Sequence, residues 1–274
     1  MSEENLTGTL RKMHSALDVR VTYRIPVGDG LFPVSERVGG RFSLRYTGRM
    51  HCVACGRAMR KSFNQGYCFP CFRSLAECDM CILKPETCHY HLGTCRDPAW
   101  GERHCMQDHI VYLANTSGIK VGITRINQIP TRWIDQGARQ AIPALRVRSR
   151  FHSGLIEAAM KAHLNDRTDW RRMLKGHPEE IDMRELRHSV LERVSDDIEA
   201  QRARHPDLAW EVLDDDPVTL DYPVEAFPGK IVPLNLDRQA EVSGRLLGIK
   251  GQYLITDSGV INIRKHAGYE VQVE

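Results

Sequence analysis

Hydrophobic positions near the start of the chain alternate with polar ones. The odd-numbered residues from Leu17 to Ile25 are apolar, and the even-numbered residues from Phe42 to Tyr46 repeat the pattern. Strict alternation with a period of two is typical of a half-buried β-strand. Residues 1–50 are therefore predicted to form a β-rich segment.

The middle of the chain combines apolar strand-like runs with helix signals. Its predicted elements are strands at 109–114 and 119–124, a helix at 130–136, a strand at 145–151 and a helix at 154–165. Asn115-Thr116-Ser117-Gly118 favours a turn between the first two strands. Pro130 suits a first helical turn, and Gly137 suits a helix end. The pattern predicts a small α/β domain over residues 109–176.

The last third begins with a predicted amphipathic helix over 182–204 and ends in strands. The apolar side chains of this helix recur every three or four residues, at Met183, Leu186, Val190, Val194 and Ile198. Asp257-Ser258-Gly259 lies between two apolar runs, which predicts a hairpin. We divide this part into a helix and linker at 177–212 and a β-rich unit at 213–274. Whether the two β-rich ends of the chain pair into one barrel stays open.

All nine cysteines lie between Cys52 and Cys105, inside a predicted cysteine-rich block at 51–108. The first four follow the spacing Cys52-x2-Cys55-x12-Cys68-x2-Cys71. Two CxxC turns facing each other across a short hairpin supply the four thiolates that tetrahedral Zn²⁺ prefers. This spacing predicts a zinc-ribbon-like site. Free thiols, an iron–sulfur cluster and a redox pair are the alternatives.

Five more cysteines follow with less regular spacing. We predict a second all-cysteine zinc site, formed by Cys81, Cys88, Cys95 and Cys105. Cys78 is the first substitute for one of these ligands, and His91 is the next. Four thiolates leave no open coordination position, which favours structural metals over catalytic ones. The expected cofactor content is about two Zn²⁺.

Charge is distributed unevenly along the chain. Residues 41–175 carry 22 Lys and Arg against 10 Asp and Glu, a net of +12, whereas the rest carries 16 against 25, a net of −9. A basic middle favours a polyanionic partner such as DNA or RNA. An ordinary arginine-rich surface is the alternative.

Several arginines are candidates for contacting phosphates. Arg146, Arg148 and Arg150 alternate along the predicted strand 145–151, so they are expected to face one side of it. Arg125, at the end of the second predicted strand, is a fourth candidate for nucleic-acid binding.

The chain shows neither a signal peptide nor an apolar run long enough to span a membrane. We therefore expect a cytoplasmic protein without a membrane partner. In that compartment, clustered cysteines are more often metal ligands than disulfides.

Residues 109–170 carry a family resemblance. Val111-Tyr112-Leu113, then Lys120-Val121-Gly122-Ile123-Thr124, then Arg132 and Glu157, are similar to the GIY-YIG nuclease superfamily. The similarity is closest to the branch whose second motif reads K-I-G-x-T. The whole chain also resembles an uncharacterised prokaryotic, cysteine-rich family known only as a domain of unknown function.

The nuclease resemblance implies catalytic roles for four residues. Tyr112 would help to activate the attacking water, Arg132 would stabilise charge on the scissile phosphate, and Glu157 would hold Mg²⁺ or Mn²⁺. Lys120 stands where the family has a second tyrosine, so a phosphate contact is the role it suits. Purely structural roles are the alternatives, since Tyr112 also suits a sheet core and Glu157 forms an i,i+4 pair with Lys161.

Together these patterns predict an α+β multidomain protein. A zinc-ribbon-like block would precede a small GIY-YIG-like α/β domain, with β-rich segments at both ends. The predicted function is nucleic-acid binding, with metal-dependent endonuclease activity as a further step. The alternatives are a non-catalytic nucleic-acid or ribonucleoprotein adaptor and a zinc-organised scaffold that holds a protein partner.

Overall fold

The structure is a computed structural model that describes residues 5–164 and 167–274. Residues 1–4 of the predicted first segment and residue 165, the last of the predicted helix 154–165, lie outside the described residues. Within the described ranges the strands are β1 (Leu6–Thr9), β2 (His14–Leu17), β3 (Val21–Val27), β4 (Gly30–Phe32), β5 (Arg41–His51), β6 (Ala58–Met59), β7 (His109–Asn115), β8 (Ile119–Arg125), β9 (Gln140–Val147), β10 (Trp210–Val212), β11 (Val218–Thr219), β12 (Glu241–Lys250), β13 (Tyr253–Thr256), β14 (Gly259–Asn262) and β15 (Tyr269–Val273). The α-helices are α1 (Phe69–Ser74), α2 (Pro98–Cys105), α3 (Thr131–Asp135), α4 (Arg150–Met160), α5 (Trp170–Met173) and α6 (Met183–Arg204).

The strands form three antiparallel sheets, so the fold is mixed α/β. The largest sheet has the order β1-β15-β5-β12-β13-β14, with β6 paired to β5. A second sheet has the order β10-β9-β7-β8, with β11 paired to β9, and β2-β3-β4 form the third. The two β-rich ends of the chain thus share one sheet, because β15 pairs with both β1 and β5.

The sheet of β7, β8 and β9 lies between two hydrophobic cores. Ile110, Tyr112 and Ala114 face a core that they share with the N- and C-terminal strands. Val111 and Leu113 face the opposite core, which α4 and α6 complete. Successive side chains of a strand point to opposite faces, so β7 is buried on both sides. This burial explains the nearly continuous apolar run at 109–114.

Most predicted elements of the middle and last thirds are confirmed. The hairpin of β7 and β8, the helix α3, the helix α6 and the hairpin of β13 and β14 lie within one or two residues of their predicted bounds. Long periodic or turn-bounded patterns specify these elements locally.

The alternation over residues 17–25 belongs to two strands and not to one. The chain reverses between β2 and β3, and Leu17 pairs directly with Val21. Val19, at the tip of the turn, is 96% exposed. A three-residue turn keeps the apolar positions in phase on both strands, so the pattern alone does not reveal the reversal.

The predicted strand 145–151 is wrong in its second half. Strand β9 ends at Val147, and α4 begins at Arg150, four residues before the predicted helix start. Ser149 causes the change, because its hydroxyl accepts a hydrogen bond from the backbone N–H of His152 at 3.2 Å and so caps the helix. Arg146, Arg148 and Arg150 therefore do not form a ladder on one strand.

Candidate functional site

Four cysteines form a cluster where β5 runs into the loop before α1. Their sulfur atoms lie within 4.8 Å of one another, and the cluster consists of Cys52, Cys55, Cys68 and Cys71. Gly56, with φ of +70°, donates its N–H to the Cys52 carbonyl at 2.9 Å and closes the first CxxC turn. A left-handed residue is needed there, which glycine supplies without steric cost. The cluster is compatible with a structural zinc ion, as the spacing predicts.

Backbone donors prepare Cys52 to be a thiolate. Burial alone would raise the pKa of Cys52, but N–H groups of Cys68, Cys55 and Ala54 outweigh it and lower the pKa to about 6. The Cys68 N–H lies 3.2 Å from the Cys52 sulfur. Because zinc binds the deprotonated thiol, these donors favour the metal-bound form.

The second cysteine group, here residues 76–105, lines a small cavity. A cavity of about 10 Å³ lies among Cys81, Cys88, Cys95 and Cys105. The Cys81 thiol donates a hydrogen bond to Cys88, which lowers the pKa of Cys88 to about 6. Gly101 of α2 lets Tyr90 and Cys95 pack close to the helix backbone. A Cβ at this position would lie 2.9 Å from the Tyr90 ring and 3.3 Å from the Cys95 sulfur. The cavity is about the size of one water or one ion.

Among the described residues, the close set of ligand atoms in this region is not the predicted one and shares only Cys81 with it. Asp79, Cys81 and His89 offer atoms within 4.8 Å of one another. However, Asp79 Oδ2 lies 2.6 Å from Arg96 Nε and 3.6 Å from His89 Nε2. This carboxylate is already paired, which favours the cysteines as ligands, and their choice stays a prediction.

The two substitute ligands lie elsewhere. Cys78 lines a neighbouring groove, where the Asn64 amide approaches its sulfur at 3.7 Å. The exposed ring of His91 packs against Phe151, with centroids 5.4 Å apart.

Tyr112 is fully buried in the middle of β7. Its hydroxyl donates to Gln136 Oε1 at 3.0 Å, and its ring packs edge-on against Trp133. Gly122 is the directly opposite residue on β8. A Cβ on Gly122 would lie 2.6 Å from the Tyr112 hydroxyl oxygen, so the glycine of the second motif makes room for the phenol.

Arg132 and Glu157 lie close enough to Tyr112 to act on its charge. Burial raises the pKa of Tyr112, whereas the charge of Arg132 and a hydrogen bond from it lower the pKa, and Glu157 raises it. Glu157 Oε2 also lies 3.3 Å from Lys161 Nζ, the i,i+4 pair that the spacing indicates. Lys120 pairs with Ala114, so it projects from the same sheet face as Tyr112.

Burial limits what these residues offer to a substrate. Tyr112, Lys120 and Glu157 are 0%, 5% and 9% exposed, and Arg132 is half-buried. Arg132 hydrogen-bonds the Tyr112 phenol, whereas Glu157 affects it only through its charge. The burial of Tyr112, Lys120 and Glu157 leaves little of these side chains open to solvent.

The four arginines proposed to contact phosphate have different environments. Arg146 is in an ion pair with Glu211 at 2.6 Å, and Arg148 is exposed in the bend before α4. Arg150 donates to the Ile82 carbonyl at 2.5 Å, and burial lowers its pKa. Burial raises the pKa of Cys105, and Arg150 and Arg125 oppose that shift. Two of the four thus act on the second cysteine group.

The surface around the first cysteine cluster carries a feature that the sequence analysis missed. Residues 52–75, here called the zinc module, contain Arg57, Arg60, Lys61 and Arg73 but no Asp or Glu. The Phe63 ring contacts those of Phe69 and Phe72 at 5.3 and 5.9 Å. Phe69 is 53% exposed, and the Lys61 ammonium lies 5.2 Å from the Phe63 centroid. The lack of acidic residues is the sequence signal that would have identified it.

Comparison with known proteins identifies the family of the chain but not an activity. No helix in the described ranges is long and apolar enough to cross a membrane. Nothing matched this chain among curated proteins or among solved structures. The sequence model of one family, described as "Protein of unknown function (DUF2797)", matches residues 39–271. The chain therefore belongs to the DUF2797 family, whose span includes both cysteine groups and the strands of Tyr112 and Lys120.

Proposed function

We propose that this protein binds nucleic acid through its zinc module. The observation that carries the proposal is the acid-free segment 52–75, with four exposed cationic residues and one exposed aromatic ring, that of Phe69. A Zn²⁺ ion with four thiolates has a net charge of about −2. The four cations outweigh that charge, so the module stays positive with its metal bound.

The aromatic cluster supplies the second part of a nucleic-acid surface. Phe69 exposes about half of its side chain beside the cations. Nucleobases stack on exposed aromatic rings, and cationic side chains contact the phosphates between them. This combination suits single-stranded DNA or RNA better than a duplex, in which the base faces are already stacked on each other.

Binding is expected to weaken steeply with salt and to depend on this surface. We expect Arg60→Gln/Lys61→Gln to weaken binding of a labelled single-stranded oligonucleotide by about 10-fold or more, and to flatten its salt dependence, because each lost phosphate contact removes a released counterion. Phe69→Ala is expected to weaken binding with little change in the salt slope, because stacking is less ionic. Fluorescence anisotropy over a salt series measures both effects.

The matched control is Arg193→Gln/Arg204→Gln, which removes the same charge from exposed positions on α6. It is expected to bind like the wild type. Equal losses in both double variants would reduce the effect to net charge. Absent or salt-independent binding by the wild type would reject the proposal and leave a zinc-organised protein scaffold as the alternative.

Phosphodiester hydrolysis is a second candidate function, favoured by the Tyr112 phenol, whose hydrogen-bond partners are Gln136 and Arg132. The resemblance to GIY-YIG nucleases supports it, and the burial of Tyr112 and Lys120 opposes it. Mg²⁺ or Mn²⁺ would bind through the Glu157 carboxylate, an oxygen ligand of the kind both ions prefer, in place of Lys161.

A cleavage assay separates the two functions. If hydrolysis occurs, plasmid, single-stranded DNA or structured RNA will be cut only with Mg²⁺ or Mn²⁺, and Glu157→Gln will lower the rate by about 100-fold or more. The control Glu192→Gln changes an exposed carboxylate on α6 and is expected to cut like the wild type. Substrates left intact by all three proteins would restrict the function to binding.

A further inference from the structure

A large groove runs beside the zinc module. It has a volume of about 730 Å³ and lies where four parts of the chain meet. The loop after β1 contributes Arg11, the zinc module contributes Tyr67 and Phe72, the second cysteine group contributes Met80, and the turn before β15 contributes Arg264. A groove of this volume is within the range of small-molecule and cofactor sites.

The two acidic groups of the groove have partners of different kinds. Glu77 accepts a hydrogen bond from the Tyr67 hydroxyl at 3.1 Å. Asp79 is paired with Arg96 at 2.6 Å. The charge of Asp79 is thus compensated by a cation, whereas Glu77 keeps its negative charge, because its partner is a neutral hydroxyl.

Two cations of the groove, in contrast, have no carboxylate in direct contact. Within residues 5–164 and 167–274, the guanidinium groups of Arg11 and Arg264 make no hydrogen bond or ion pair. Arg11 is exposed and Arg264 is half-buried. Burial lowers the pKa of Arg264, which reflects the cost of keeping this charge partly out of water, and the charge of Asp135 offsets part of that shift. A bound anion would remove that cost.

Lys12, a third cation that lines the groove, has an ion-pair partner. Asp135 of α3 pairs with Lys12, and it accepts a hydrogen bond from Gln252 Nε2 at 2.9 Å. These contacts connect the Arg11 loop, the middle domain and the C-terminal sheet. Arg264 also lies near enough to Arg132 for the two charges to interact, so the groove adjoins the residues around Tyr112.

Apolar and aromatic side chains also line the groove. Phe72 and Tyr67 are half-buried, while Met80 and Leu83 are 59% and 71% exposed. Nearby, Asn64 and Gln65 have φ angles of 43° and 65°, a left-handed conformation that is uncommon outside glycine. Such conformations are retained where the surrounding structure imposes them, often at ligand sites. A flat apolar ring with a phosphate attached fits a groove that combines these apolar and aromatic side chains with two arginines.

We propose that this groove binds a nucleotide unit, with its phosphate between Arg11 and Arg264 and its base against Phe72 and Tyr67. The inference rests on the proposed function, since it places one nucleotide of a bound strand in the groove, and it extends to a free nucleotide with the same chemistry. The groove lies beside the zinc module, so a single strand could contact both.

Two probes test the groove separately from the zinc module. The first is a short labelled single-stranded oligonucleotide, and the second is AMP, added as a competitor and also titrated alone by calorimetry. We expect Arg264→Gln and Arg11→Gln each to weaken oligonucleotide binding by about 10-fold and to lower the salt slope by about one. Arg238→Gln, an exposed arginine outside the groove, is the control and is expected to bind like the wild type. Arg11 is exposed, so its variant remains informative even if Arg264→Gln fails to fold.

The outcomes distinguish the ligand sources. Competition by AMP that is lost in Arg264→Gln assigns the groove to a nucleotide of either source, and loss of oligonucleotide binding without AMP competition assigns it to the strand alone. AMP binding without oligonucleotide binding would support the groove while rejecting the proposed function. Normal binding of both probes by both groove variants would overturn the inference, and the zinc-module variants would then test the proposed function alone.

Discussion

Cys52→Ser is expected to reduce the zinc content of the protein by one ion per chain and to unfold the zinc module. Cys52 is 2% exposed, and its sulfur accepts the Cys68 N–H that joins the two CxxC turns. Serine is a poor zinc ligand, so both the metal and this connection would be lost. Loss of a structural metal is among the largest effects of a single substitution, on the order of 4 kcal/mol or more.

Elemental analysis and limited proteolysis measure this effect. We expect about two zinc ions per wild-type chain, one in Cys52→Ser, and new cleavage sites within residues 52–75 of the variant. Cys88→Ser is also expected to leave one ion, but with its cleavage sites in the second cysteine group.

The matched control is Cys78→Ser, because Cys78 is a buried thiol that lines the groove and not the second cysteine cavity. It is expected to keep both ions. One ion in the wild type would reject the second site, and full zinc content in Cys52→Ser would reject the first.

Gly154→Ala is expected to separate residues 85–86 of the second cysteine group from α4. Gly154 lies in α4, and a Cβ there would be 2.4 Å from the backbone nitrogen of Glu86 and 2.6 Å from the carbonyl carbon of Pro85. Both are backbone atoms, so neither can move aside alone. The Arg150 bond to the Ile82 carbonyl spans the same contact and would be strained with it.

The expected change in stability at Gly154 is opposite in sign to the change in an open helix. In an open helix, replacing glycine by alanine stabilises the fold by roughly 0.5–1 kcal/mol. At Gly154 we expect overpacking to win, with a loss of about 1–3 kcal/mol and faster proteolysis of residues 76–105. Thermal unfolding followed by circular dichroism gives the change in stability.

Gly176→Ala is the control, because a Cβ there meets nothing within 4 Å. It is expected to leave stability and proteolysis unchanged or slightly improved. A Gly154→Ala protein as stable as this control would show that the contact between α4 and residues 85–86 is dispensable.

Features whose cause lies in a few consecutive residues could be predicted from the sequence. Each CxxC turn needs only four residues, so spacing alone predicts the cluster that begins at Cys52. The helix α6 follows from one apolar stripe, and the hairpin at Asp257 follows from its turn residues. The prediction of a strand at Arg150 was wrong because Ser149 caps a helix that begins there.

The exposure of the residues around Tyr112 could not be predicted in this way. Their order along the chain suggested a shared site, and Arg132 and Glu157 do lie near the phenol. Tyr112 is buried by Trp133 and Gln136, more than 20 residues away, and by a core shared with the N- and C-terminal strands, which are more than 60 residues away.

The sequence by itself determined the first zinc cluster, most strands and helices, and the basic character of the middle of the chain. Only the tertiary structure decided that both ends share one sheet, that Arg150 serves the second cysteine group, and that Arg11 and Arg264 face one groove. The reason is the distance along the chain. Local spacing fixes which side chains share a turn, whereas Arg11 and Arg264 line one groove because β1 and β15 pair between the two ends.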